Sequence, residues 1–180
     1  MQNPQNDDEL TALVGLHEAG DLVAACSGYQ RILRLRPNDS RVLYLYSLAL
    51  HQQGDHSGAL EQVERALGLD EGDVRCLNHR GEVLLALGET ERAVQSFETA
   101  RARAPSEPAS YNNLAVLHYQ AGDLAGAIDY LVRGMEVAPH DCALTVNSAR
   151  ILRHSGQREE ARVVLENHLR NCPGDAEVRQ

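Results

Sequence analysis

The stretch PSEPASYNNLAVLHYQAGDLAGAIDYLVRGMEVAP, residues 105–139, carries landmarks that recur along the chain every 34 residues. Glycines and alanines keep this period without an insertion, at Gly20, Gly54, Gly88, Gly122 and Gly156 and at Ala25, Ala59, Ala93, Ala127 and Ala161. Prolines keep it at Pro37, Pro105, Pro139 and Pro173, and acids follow two residues later at Asp39, Asp73, Glu107, Asp141 and Asp175. Self-similarity at this period predicts a stack of identical supersecondary units rather than a domain around one core.

Each copy carries two helical stripes separated by a turn. In the fourth copy the first stripe falls at i, i+3, i+4 and i+7, as Tyr111, Leu114, Ala115 and His118. The second stripe comprises Ala127, Leu131 and Gly134. Between them, Gly122 predicts a left-handed helix end and Asp123 predicts an N-cap for the next helix. At the start of the chain, we expect Asn6 or Asp7 to cap the first helix.

The period divides the chain into a polar tail at 1–5 and one solenoid at 6–175. Its five repeats are 6–39, 40–73, 74–107, 108–141 and 142–175. The segment AEVRQ, residues 176–180, has the pattern of a capping helix or of the start of a sixth repeat. The predicted fold is therefore an all-α solenoid of about ten helices.

The landmarks resemble the tetratricopeptide repeat, whose pattern is W-x2-L-G-x2-Y, A-x3-F and P over 34 residues. Tyr111-x2-Leu114-Ala115 matches the first part with tyrosine in place of tryptophan, and Ala93-x3-Phe97 matches the second. No copy has a tryptophan, and Ser47 and Ser148 stand within the first motif. The resemblance implies a right-handed superhelix whose first helices line a concave groove that holds a peptide or a partner helix.

Composition and charge exclude several function classes. All seventeen basic residues are arginine, so no lysine is present for a P-loop or a Schiff base. A net charge of −9 argues against nucleic acid as a partner. No apolar run is long enough to cross a membrane, no signal peptide is evident, and the four cysteines form no CxxC pair, so we expect a cytoplasmic protein with free thiols.

The helical wheel predicts which first-helix residues face the groove. The predicted groove residues are Tyr44, Leu48, Arg75, Asn78, His79, Asn112, Asn113, Asn147 and Arg150. Leu10, Val14 and Leu45 extend its apolar half, which either a bound partner or a neighbouring segment would cover.

Asn113 and Asn147 occupy equivalent positions. They resemble the asparagine ladder of the superhelical domain in O-linked N-acetylglucosamine transferases, which implies contact with a peptide backbone; a solvated polar face is the alternative. The carboxylate clamp of chaperone-binding members has no matching set of residues here.

A zinc site formed by His140, Cys142, His168 and Cys172 is a further alternative, although its spacing matches no common site. The main prediction contains no metal, no cofactor and no catalytic residues, since no nucleophile, base and orienting acid form a set. The predicted function is a non-catalytic protein–protein interaction scaffold. The alternative is a substrate-recruiting or oligomerisation module of a larger enzyme, of glycosyltransferase or methyltransferase type.

The final helical stripe includes Val163, Val164, Leu165 and Leu169, and only part of it can turn toward its own hairpin partner. We therefore expect something to cover the rest. A homodimer through the C-terminal repeat is the simplest closed arrangement.

Overall fold

The computed structural model describes the backbone of residues 4–172 and the side chains of residues 8–172. Over that range the chain forms ten α-helices and no strand. They are α1 (Pro4–Glu18), α2 (Leu22–Leu35), α3 (Ser40–Gln52), α4 (His56–Leu69), α5 (Val74–Ala86), α6 (Thr90–Arg103), α7 (Pro108–Gln120), α8 (Leu124–Val137), α9 (Cys142–His154) and α10 (Arg158–Asn171). Each 34-residue copy supplies two helices, which confirms an all-α fold of helix-turn-helix repeats. The segment at 176–180, with its predicted helix, lies outside the described residues.

The helix ends follow from local sequence. All five periodic glycines have positive φ, between 79° and 86°, where a residue with a Cβ is strained. The Asp123 carboxylate accepts a hydrogen bond from the Gly126 amide at 2.9 Å, as predicted for an N-cap. Glu107 makes no such bond, and Pro108 supplies the helix start there instead.

The first helix starts earlier than expected. It begins at Pro4, so the predicted cap at Asn6 or Asp7 is wrong and both residues lie inside α1. Proline is well placed in a first helical turn because the amide it lacks would have no intrahelical partner there.

Small residues allow the paired helices to approach closely. The five periodic alanines are at most 1% exposed: Ala25, Ala59, Ala93, Ala127 and Ala161. A Cβ added to Gly134 would lie 2.8 Å from Leu144 Cδ2 and 3.0 Å from Tyr111 Cβ, so this glycine is required by packing on both sides. The core is therefore built from alternating small and large side chains.

The chain divides into two compact units, Met1–Ser96 and Phe97–Gln180, with the boundary inside α6. In the first unit, α2 contacts α1 and α3, α4 contacts α3 and α5, and the first helices α1, α3 and α5 contact one another in succession. In the second unit, α8 contacts α7 and α9, α10 contacts α9, and α7 contacts α9. Each unit therefore presents a surface of adjacent first helices, which is where the sequence predicts ligand binding.

Candidate peptide-binding surfaces

The first unit has an aromatic and cationic strip on α3 and α5. Tyr44 and Leu48 of α3 are half-buried. The Arg75 guanidinium lies 5.4 Å from the centre of the Tyr44 ring, within cation–π distance, and donates to Asp73 at 2.9 Å. Burial raises the pKa of Tyr44, so its hydroxyl remains protonated at neutral pH. Leu10, which the wheel placed on this surface, is only 3% exposed and belongs to the core.

His79 and Asn78 of α5 are buried beneath this strip, at 2% and 7% exposure. The Ser47 hydroxyl donates to the carbonyl oxygen of Ala59 at 2.7 Å and lies 2.9 Å from His79 Nε2. Because a serine has one hydrogen to donate, Nε2 must be the donor in the second bond. His79 therefore links the third repeat to the second hairpin, and a ligand on this surface would reach it only if the buried ring moved.

His79 also belongs to a cluster of three histidines with His51 and His56, and the sequence did not indicate this cluster. His51 Nδ1 and His56 Nδ1 are 3.0 Å apart, so one ring donates to the other. The rings of His51 and His79 are nearly perpendicular, with centroids 5.5 Å apart. Burial, followed by the neighbouring His79 and His56, lowers the pKa of His51. The signal available beforehand was two histidines flanking the Gly54 turn, but their contact with α5 needs the tertiary structure.

The second unit carries the amide surface. Asn147 Nδ2 donates to Asn112 Oδ1 at 2.6 Å, joining α9 to α7, and Asn113 is half-buried beside it on α7. The sequence paired Asn147 with Asn113 as equivalent positions, whereas the hydrogen bond runs to the residue before it. Arg150, one turn further along α9, is exposed and has no ion pair among residues 8–172.

A second contact joins the same two helices near their C-terminal ends. The rings of Tyr119 and His154 are stacked, 5.8 Å apart and 14° from parallel, and the Tyr119 hydroxyl lies 2.6 Å from His154 Nδ1. The surface of the second unit thus has amides at one end, a stacked pair at the other and the exposed guanidinium of Arg150 between them.

Two family models match the chain. One, described as "Tetratricopeptide repeat", matches residues 79–141, and one described as "Anaphase-promoting complex, cyclosome, subunit 3" matches residues 22–100. The chain is a tetratricopeptide-repeat protein. Among curated protein sequences no match was found.

Solved structures show the same tetratricopeptide-repeat fold. A thermophilic TPR protein of Thermus thermophilus is 18% identical with a TM-score of 0.81, covering 96% of this chain and 94% of its own. MamA of Desulfovibrio magneticus RS-1 is 17% identical with a TM-score of 0.74, covering 98% and 100%. The APC/C hetero-tetramer Cut9–Hcn1 is 20% identical with a TM-score of 0.72, covering 93% of this chain and 34% of that one. Tetratricopeptide-repeat proteins are in general non-catalytic scaffolds for protein–protein interaction.

The alternative zinc site of this repeat protein is not assembled. His168 is 3% exposed, and its Nδ1 lies 3.0 Å from Thr145 Oγ1, which itself donates to the Asp141 carbonyl. Within the described part of the chain, no three histidine, cysteine, aspartate or glutamate side chains are placed to hold a metal ion. The buried histidine therefore takes part in a hydrogen bond within the α9–α10 hairpin. None of the described helices is long and apolar enough to span a membrane.

Proposed function

We propose that this chain is a non-catalytic scaffold that binds an extended peptide segment of a partner protein on its first-helix surfaces. The observation that carries the proposal is the amide pair of Asn112 and Asn147, half-buried on adjacent first helices. Arg150, which forms no ion pair within residues 8–172, lies one turn from Asn147 on α9.

The amide pair suits a peptide backbone. An asparagine side chain has two N–H donors and an oxygen acceptor, so the single bond between Asn112 and Asn147 leaves both able to bind another group. An extended peptide alternates N–H and C=O groups along each edge, and amides bind either one. Contact of this kind is tolerant of the peptide sequence.

The charged and aromatic groups supply selectivity. Arg150 has no carboxylate partner among residues 8–172, so an acidic side chain of the ligand would give it one. On the first unit, Tyr44 and Leu48 offer a half-buried apolar patch, which favours a ligand segment with an apolar residue. Each unit is proposed as a separate half-site.

A structural relative supports a protein-interaction role, and the cysteines support a reducing compartment. The APC/C hetero-tetramer Cut9–Hcn1 is an assembly of a chain of similar fold with a different protein. Cys26 and Cys76 are buried free thiols, which supports a cytoplasmic location.

Peptide selection followed by mutagenesis tests the proposal. A random peptide-display library is selected on the full chain, and the affinity of the selected peptide is measured by fluorescence anisotropy. The double substitution Asn112→Ala and Asn147→Ala removes two hydrogen-bonding groups and is expected to weaken binding by about tenfold or more, at about 1 kcal/mol for each bond. Asn38→Ala, an exposed asparagine in a loop, is the matched control. Equal affinities for the double variant and the control would refute the amide site.

A further inference from the structure

The C-terminal end of the described chain has a cavity of about 430 Å³ on α9 and α10. Its apolar floor is formed by Ala161, Leu165 and Leu169, and its charged rim by Arg153, Arg158, Arg162 and the one carboxylate Glu166. We call these seven residues the α10 end surface. Leu165 and Leu169, which the sequence predicted to need a cover, are only partly buried.

The equivalent surface one repeat earlier seats a helix. The counterparts of the floor are Ala127, Leu131 and Met135, which pack in one cluster with Leu144 and Ile151 of α9. The floor of the α10 end surface keeps the same pattern of one small and two large apolar side chains. By this internal comparison, the α10 end surface has the shape of a seat for one helix.

The rim differs from its counterpart in charge. Tyr119, Leu124 and Ile128 stand where the α10 end surface has its three arginines, and all three pack against the α9 cluster. Arg153 and Arg158 form no ion pair among residues 8–172, and only Arg162 does, with Glu159 and Glu166. Helices α9 and α10 carry five arginines and three glutamates, a net +2 in a chain of net −9. An occupant with carboxylates at these positions would pair with the guanidiniums of Arg153 and Arg158.

The geometry points to an amphipathic helix of a partner protein, acidic at the edges of its apolar stripe, as the occupant of the α10 end surface. The stripe would follow α9, in which Leu144 and Ile151 are seven residues apart with the small Ser148 between them. A second copy of the chain fits less well, because a two-fold pairing would bring one arginine rim against another. The homodimer predicted from the sequence is therefore treated as the competing occupant, and the experiment below tests for it.

Binding of two stapled helical peptides to the full chain tests the inference. Both have roughly 18 residues and leucine at i and i+7 with alanine at i+4; one carries glutamates beside the stripe and the other lysines at the same positions. We expect the glutamate peptide to bind, with an affinity that falls as salt rises. Arg153→Glu with Arg158→Glu should weaken it by about tenfold or more, since both ion pairs become repulsions. Arg170→Glu, on the same helix but outside the cavity, should leave binding unchanged.

The inference would be overturned if the glutamate peptide failed to bind, if the two peptides bound equally, or if the double variant left binding intact. A stable dimer of the full chain in sedimentation that the double variant abolishes would overturn it too. If the glutamate peptide bound strongly only after residues 176–180 were deleted, the inference would also be overturned, since the chain's own segment would then be the occupant. Asn112→Ala with Asn147→Ala should not affect this peptide, which separates the α10 end surface from the proposed amide site.

Discussion

Substitution of Ser47 by alanine is expected to destabilise the first unit, although the repeat pattern favours a small apolar residue at that position, as Ala115 shows in the fourth repeat. The Ser47 hydroxyl is completely buried and accepts from His79 Nε2 at 2.9 Å while it donates to Ala59 at 2.7 Å. Without the hydroxyl, the buried His79 N–H loses its acceptor.

The size of the effect follows from that loss. An orphaned buried donor costs about 1–3 kcal/mol. The Ala59 carbonyl also accepts within its own helix, so its loss adds less. His79 can recover part of the cost by moving its proton to Nδ1, which lies 3.5 Å from Glu82 Oε2. We therefore expect about 2 kcal/mol, which lowers Tm by about 4–8 °C in a chain of this length.

Thermal unfolding followed by circular dichroism measures the effect, and hydrogen exchange of α3–α5 assigns it to the first unit. Ser148→Ala is the control, because that buried serine donates only to the weak acceptor Met135 Sδ, at 3.7 Å. In a His79→Leu background the Ser47→Ala change should cost much less, since the orphaned donor is absent. An unchanged or raised Tm for Ser47→Ala alone would refute the reasoning, because the consensus preference would then outweigh the hydrogen bond.

Three other predictions concern packing, pH and the turns. Gly134→Ala should destabilise the protein by about 1–3 kcal/mol in urea unfolding, because the new Cβ would lie 2.8 Å from Leu144 Cδ2. Gly68→Ala, which has open space around it, should instead stabilise the protein by a few tenths to about 1 kcal/mol. A Gly68→Ala variant less stable than the Gly134→Ala variant would contradict the packing argument. The folded-state pKa of His51 is below its ordinary value of 6.5, so its contribution to stability is complete above pH 6.5 and is lost as the pH falls through the folded pKa. Thermal melts from about pH 7.5 to pH 5 should therefore show a loss of stability that His51→Gln reduces. Identical pH profiles for the two proteins would show that His51 is not the cause of the loss. Gly122→Ala should cost about 1–2 kcal/mol, because φ at that residue is +80°, and a stability equal to that of the parent protein would show that the turn tolerates a Cβ.

The fold could be predicted because its determinants are local and repeated. A glycine at positive φ and an aspartate cap act within a few residues of one another, so the sequence shows them directly. The glycine recurs in all five copies, and the aspartate cap recurs in three of them, at Asp21, Asp55 and Asp123. The wrong helix start, predicted at Asn6 or Asp7, lies before the first glycine of the repeat pattern, and the helix begins at Pro4 instead.

The candidate site was less predictable because its contacts join different repeats. The wheel gives the face of each helix but not the stagger between neighbours. It therefore aligned Asn147 with Asn113, whereas the bond forms with Asn112. It also placed His79 in the groove, and only the tertiary structure reveals that Ser47 holds that ring at 2% exposure.

The bonds between neighbouring repeats make the order of the copies matter. The glycine turn inside each copy is closed by residues of that copy, and the acids at the junctions between copies recur at the same period, so gene duplication could add or remove a whole repeat and keep the same helix ends. Exchanging the third copy for the fourth would preserve the turns, yet it would place Asn113 at the position of His79, opposite Ser47. An evolving array of this kind can change its length freely, but each copy becomes committed to its neighbours once such side-chain pairs are established.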